Sequence, residues 1–118
     1  MVGSLSGLFV LSLLVLSLSG CASFRAAQFY QSGTRALDRG HPEAAIRDLE
    51  AAEALAPEAS EIQNHLGLAY RDAGRSAEAR AAFARAVELD CENEAAQRNL
   101  DASRRSPSVR DPWKRSGN

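Results

Sequence analysis

Residues 60–93 read SEIQNHLGLAYRDAGRSAEARAAFARAVELDCEN. They follow AAQFYQSGTRALDRGHPEAAIRDLEAAEALAPEA at 26–59, and the two stretches align without a gap at a shift of 34 residues. Gly33 meets Gly67, Asp38 meets Asp72, Gly40 meets Gly74, Ala45 meets Ala79, Ala52 meets Ala86, Leu55 meets Leu89 and Glu58 meets Glu92. Leu49 with Phe83 and Ala36 with Tyr70 are milder matches. A fixed period of this length marks a solenoid of helix pairs, in which each unit buries its apolar side only by stacking on the next.

The residues inside each unit read as helix. Ile62, Leu66, Ala69, Tyr70 and Ala73 recur at three- and four-residue spacing, as do Ala79, Phe83, Ala86 and Val87, which puts each set on one helical face. Gly40 and Gly74 fall between the periodic segments, where glycine takes positive φ and ends a helix. Pro42 and Pro57 suit first-turn positions, which need no N–H. Helices are therefore expected near 24–39, 42–55, 57–73, 76–89 and 92–105. After Cys21 the β-branched residues are Thr34, Ile46, Ile62, Val87 and Val109, against an abundance of Ala, Leu, Glu and Arg. That balance predicts an all-α protein.

These residues resemble the tetratricopeptide repeat family. In the second unit the signature positions are Leu66, Gly67, Tyr70, Gly74, Ala79, Phe83 and Ala86; in the first they are Phe29, Gly33, Gly40, Ala45, Leu49, Ala52 and Pro57. Gln63 stands where the family usually has Trp, and Cys91 where it usually has Pro. Ser32 and Ala36 replace a more usual Leu and Tyr, so the first unit is expected to pack more loosely. The resemblance implies two helix-turn-helix repeats, 26–59 and 60–93, and a capping helix at 94–105, forming a short right-handed α-solenoid. It also implies that the first helix of each repeat lines a concave protein-binding groove. Carried over position by position, that groove takes Ala27, Tyr30, Thr34, Leu37 and Asp38, then Glu61, Asn64, Leu68, Arg71 and Asp72. Leu37 and Leu68 have a second reading, as packing between helices. The family's clamp for terminal carboxylates uses lysines that this groove lacks, so that specificity is not expected.

Ahead of the repeats, Leu8–Leu18 (LFVLSLLVLSL) is an apolar run of eleven residues, and no charged residue precedes Gly20. A spanning helix needs about 20 apolar residues and a secretory h-region about 7–15. The run ends in Leu18-Ser19-Gly20-Cys21, which resembles the lipobox of bacterial lipoproteins. That resemblance implies a signal peptide at 1–20, acylation of Cys21 and a short tether at 21–25. Ala22 in place of Asp after the cysteine implies the outer membrane, with the domain facing the periplasm. The n-region, Met1–Gly7, has no Lys or Arg, which leaves an ordinary cleaved signal peptide and an uncleaved signal anchor as alternatives.

Chemistry beyond binding finds little footing. His41, His65, Cys21 and Cys91 have no metal-ligand spacing, and no nucleophile–base set or phosphate loop is legible. No enzyme, cofactor or metal is expected. Glu61 and His65, four apart, read as a surface pair. Cys91 reads as a free thiol or small packing residue, with an intermolecular disulfide as the alternative. The net charge is −1, which favours no nucleic-acid partner. The tail 106–118 reads as disordered, with five basic residues and one acid from Arg104 onward and Trp113 among them; it is either solvated or touches anionic lipid or cell wall. Fifteen large apolar side chains between Cys21 and Leu100 make a small core, so a homodimer or a docked partner would add stability. The expected function is a lipid-anchored scaffold or adaptor in the bacterial envelope, held in the bilayer through acylated Cys21 and binding a membrane-proximal protein. The alternative is an envelope factor that works through its basic tail.

Overall fold

A computed structural model describes residues 5–105, with side chains from Gly20 onward. Five helices follow one another: α1 (Leu5–Asp38), α2 (Pro42–Leu55), α3 (Ser60–Asp72), α4 (Ser76–Leu89) and α5 (Glu94–Arg105). The described residues contain no strand, and the fold is an all-α helical repeat of solenoid type. Each helix packs on the next, α1 and α5 also touch α3, and α2 and α4 do not meet. α1, α3 and α5 thus form one layer and α2 and α4 the other.

The turns inside the two repeats are built alike. Gly40 and Gly74 have φ of 73° and 77°, a region that residues with a Cβ rarely enter. At the first, the Gly40 N–H donates to Leu37 O at 2.9 Å and the His41 N–H to Ala36 O at 2.9 Å. At the second, the Gly74 N–H donates to Arg71 O at 3.0 Å and the Arg75 N–H to Tyr70 O at 2.8 Å. This paired pattern satisfies carbonyls that the helix end would otherwise leave open. Pro42 opens α2 as expected, and His41 precedes it without a side-chain capping bond.

Two boundaries differ from expectation. Pro57 lies not in a helix but second in a four-residue turn, closed by the Ala59 N–H on Ala56 O at 3.2 Å, and α3 starts at Ser60. Proline favours that turn position because its φ is already set. The equivalent turn holds Cys91, closed by the Asn93 N–H on Asp90 O at 3.2 Å, and α5 starts at Glu94. Residues 21–25, expected as a tether, are helical and continuous with the leader in α1. No proline interrupts Leu5–Asp38, and an internal glycine costs only about 1 kcal/mol relative to alanine.

The core is one cluster along the α1–α2–α3 contact and a second under α4 and α5. Ala45, Leu49, Ala52 and Ala69 are fully buried in the first, with Ile46, Ile62, Leu66 and Ala82 around them. Phe83, Ala79 and Leu100 form the second. Leu100 is the only large apolar residue of α5, and it is 7 % exposed, which suits a helix that closes a stack with one face and meets water with the other. In the first repeat Leu49 and Ala45 are fully buried. Ser32 faces outward from α1, so its small size leaves no hole in the core. The leader side chains and the tail 106–118, with Trp113, lie outside the described residues.

Candidate protein-binding groove

Close helix approach depends on two glycines. A Cβ on Gly33 would lie 2.6 Å from Leu49 Cγ, and one on Gly67 would lie 2.4 Å from the Phe83 ring. Real Cβ atoms do not come so near, so each glycine is where the partner helix seats its largest fully buried side chain. The inner layer is then tied crosswise. Tyr30 of α1 meets His65 of α3 edge-on, with centroids 5.2 Å apart at 87°. The His65 Nδ1 donates to Glu61 O at 2.8 Å, and the Tyr30 hydroxyl oxygen stands 3.2 Å from the same nitrogen. Burial, and then the Glu61 carboxylate, raises the Tyr30 pKa above its ordinary value. From α5, the Asn99 Nδ2 donates to Asn64 Oδ1 at 2.8 Å.

The expected groove residues divide accordingly. Asn64 is 7 % exposed and its oxygen is taken by α5, so it belongs to the packing between helices and not to an open surface. Leu37 and Leu68 are half-buried, packing on the first and second core clusters respectively. Tyr30 is half-buried against His65, and the Thr34 hydroxyl donates to Gln31 O at 3.1 Å. Ala27, Asp38 and Glu61 are exposed, as are Arg71 and Asp72, which pair with each other at 3.3 Å. A shallow, largely apolar recess of about 290 Å³ opens beside them, walled by Ala26, Ala27, Tyr30, Ala59, Ile62 and Glu61. The Glu61–His65 surface pair is replaced by the bond from the ring to the Glu61 main-chain oxygen and by the Tyr30 contact.

Other polar groups hold the seams. Gln63, in the usual Trp position, is 5 % exposed and donates to Glu53 at 2.5 Å. The Tyr70 hydroxyl donates to Glu50 at 2.8 Å, and Arg75 lies 4.8 Å over the Tyr70 ring. Burial, followed by the Glu50 hydrogen bond, pushes the Tyr70 phenol up to about 12. Arg75 also pairs with Glu78, whose carboxyl it holds below the usual range. No buried side-chain polar atom among the described residues lacks a partner. Among the same residues no three His, Cys, Asp or Glu gather as metal ligands. Cys21 and Cys91 are both exposed and free, which removes packing as a role for Cys91.

Paired helices, a repeated glycine turn and a closing helix define a helical repeat protein with an exposed inner layer. The family model of the tetratricopeptide repeat matches residues 30–93, and the chain belongs to that family. No curated protein matches the chain. Tetratricopeptide repeats generally mediate protein–protein interaction.

Proposed function

We propose that this chain is a lipid-anchored adaptor of the bacterial envelope, tied to the outer membrane through acylated Cys21 and binding a membrane-proximal protein in its repeat groove. The observation that carries the reading is the setting of Cys21. It ends the lipobox-like Leu18-Ser19-Gly20-Cys21, is exposed, and stands five residues ahead of Ala26, which is 5 % exposed. At a helical rise of about 1.5 Å per residue, the anchor would lie about 7.5 Å from the folded core. Among the described residues no helix is long and apolar enough to cross a membrane. The reading has the chain bind without catalysing, as an interaction module does.

Metabolic labelling with palmitate tests the anchor: wild type incorporates label into the membrane fraction and Cys21→Ala does not. A photocrosslinker at Ala27 or Arg71 should then capture a membrane-proximal protein, while one at Arg85 on α4 should not. Unlabelled wild type, or protein recovered free in the cytosol, overturns the proposal.

A further inference from the structure

The 34-residue shift also compares the outer faces of α1 and α3. In α3 and its C-terminal cap, Ile62, Leu66, Ala69 and Ala73 turn toward the first repeat and pack into its core. The same positions of α1 and the turn after it hold Gln28, Ser32, Arg35 and Arg39, all exposed. At about 100° per residue, Cys21, Phe24 and Arg25 continue that stripe toward the N-terminus, and they are exposed too. α2 adds Arg47, which occupies the position of Ala81, a residue lining the seam between repeats. The leading edge of the solenoid therefore presents four arginines where the second repeat presents apolar side chains.

Most arginines elsewhere are neutralised locally, while Arg80 and Arg105 donate to the main-chain oxygens of Ser103 and Asp101. Arg71, Arg75, Arg85, Arg98 and Arg104 each pair with a carboxylate. Arg25, Arg35, Arg39 and Arg47 have no such pair among the described residues, although Asp38, Glu43 and Glu50 stand within four positions of them along the chain; Asp48 accepts the Ser32 hydroxyl at 2.5 Å. Phe24, 66 % exposed, is the one large apolar side chain left in solvent among the described residues.

We propose that this edge docks on an anionic lipid bilayer, with α1 along the membrane plane, the four arginines on headgroup phosphates and Phe24 inserted beneath them. The proposal rests on Cys21 being the anchor, and it adds an orientation. Charge complementarity selects the occupant: cytosolic, periplasmic or extracellular, an anionic leaflet attracts clustered Arg, while an aromatic ring settles at the headgroup boundary. Cys21 lies on the same stripe, so acyl chains leaving it point to the same plane that the arginines face. A second copy using this edge would set arginine against arginine across a two-fold axis, which the like charges oppose. Docked in this way, the groove opens sideways along the membrane and α5 lies at the far end of the stack.

The test uses the full, processed chain in vesicles of phosphatidylcholine with or without phosphatidylglycerol, doped with spin-labelled lipid. A fluorophore is placed through Arg35→Cys, with Cys91→Ser, and a control fluorophore through Ala95→Cys on α5. Quenching at position 35 should rise severalfold with anionic lipid, fall in high salt, and return to the neutral-lipid level in Arg25→Gln/Arg39→Gln/Arg47→Gln. Each arginine lost should shift the docked-to-undocked ratio about fivefold. The control position should stay unquenched. Quenching at 35 that ignores anionic lipid, or that follows protein density instead, overturns the docking in favour of a free edge or a second copy. Intact-mass analysis separates the two readings: an unmodified Cys21 sinks the anchor, and the quenching, repeated with Cys21→Ser so that position 35 carries the label alone, still decides the docking.

Discussion

Residues 26–59 and 60–93 carry the same backbone, but the junction that closes each repeat is made of different atoms. At the first, Ala26, Ala56 and Ala59 meet, leaving the apolar recess beside Tyr30. At the second, the equivalent residues are Ser60, Asp90 and Asn93. The Ser60 hydroxyl donates to Ala86 O at 2.9 Å and accepts from Asn93 Nδ2 at 2.8 Å. The Asn93 Oδ1 accepts the Ala96 N–H at 3.0 Å, capping α5, and Asp90 Oδ1 accepts the Glu92 N–H at 2.9 Å. An inner junction can rest on methyl groups because the next repeat covers it. A terminal junction has only α5 above it, a helix with one large apolar residue, so polar bonds hold what burial cannot.

The largest test of this contrast is in the seats of Leu49 and Phe83. Phe83→Ala should cost about 4 kcal/mol and Leu49→Ala about 3 kcal/mol in denaturant unfolding, because both side chains are fully buried. If Leu49→Ala melted the first repeat alone, in a separate transition, the two units would not share one cooperative core. Gly67→Ala comes next, at about 2–3 kcal/mol, since its new methyl meets an aromatic ring wedged between helices. Gly33→Ala, facing a Leu that can change rotamer, should cost less, and equal losses would argue that the seats are equivalent.

Asn93→Ala removes a cap and the Ser60 bond together and should cost about 1–2 kcal/mol, with helix loss confined to α5. Tyr70→Phe should cost about 1 kcal/mol through the Glu50 bond. It also has a pH signature. The folded Tyr70 keeps its proton up to about 12, above its ordinary value of 10.0, so its contribution is complete below pH 10 and is lost as pH rises from there toward 12. Ala36 holds that position in the first repeat, so Tyr70→Phe should flatten this part of the alkaline unfolding curve. An unchanged curve would break the link.

What the chain reveals on inspection follows from how local each cause is. The glycine turns, the helix periodicity and the small-against-large pairs at Gly33/Leu49 and Gly67/Phe83 repeat at a fixed distance, so the fold was legible. The contacts of Tyr30 with His65 and of Asn64 with Asn99 each join residues 35 apart, one step off that period. Asn64 therefore read as a groove residue, although α5 had claimed it. Pro57 permitted either a helix start or a turn, and only the position of Ala59 decides between them. The leader and the first repeat read as separate segments because their compositions differ, yet no residue between them stops a helix.

The turn between α4 and α5 has one more implication. Asp90 is extended there, with φ −147° and ψ 101°, which is the backbone that a residue before proline prefers. The twin turn already carries Pro57 after an Ala56 with φ −143°. Cys91→Pro should therefore fit the native chain without strain and restrict the denatured one, raising stability by about 0.4–1 kcal/mol through lost freedom in the unfolded ensemble. The second repeat has kept a looser hinge than its neighbour at the one place where stiffening it would need no new contact.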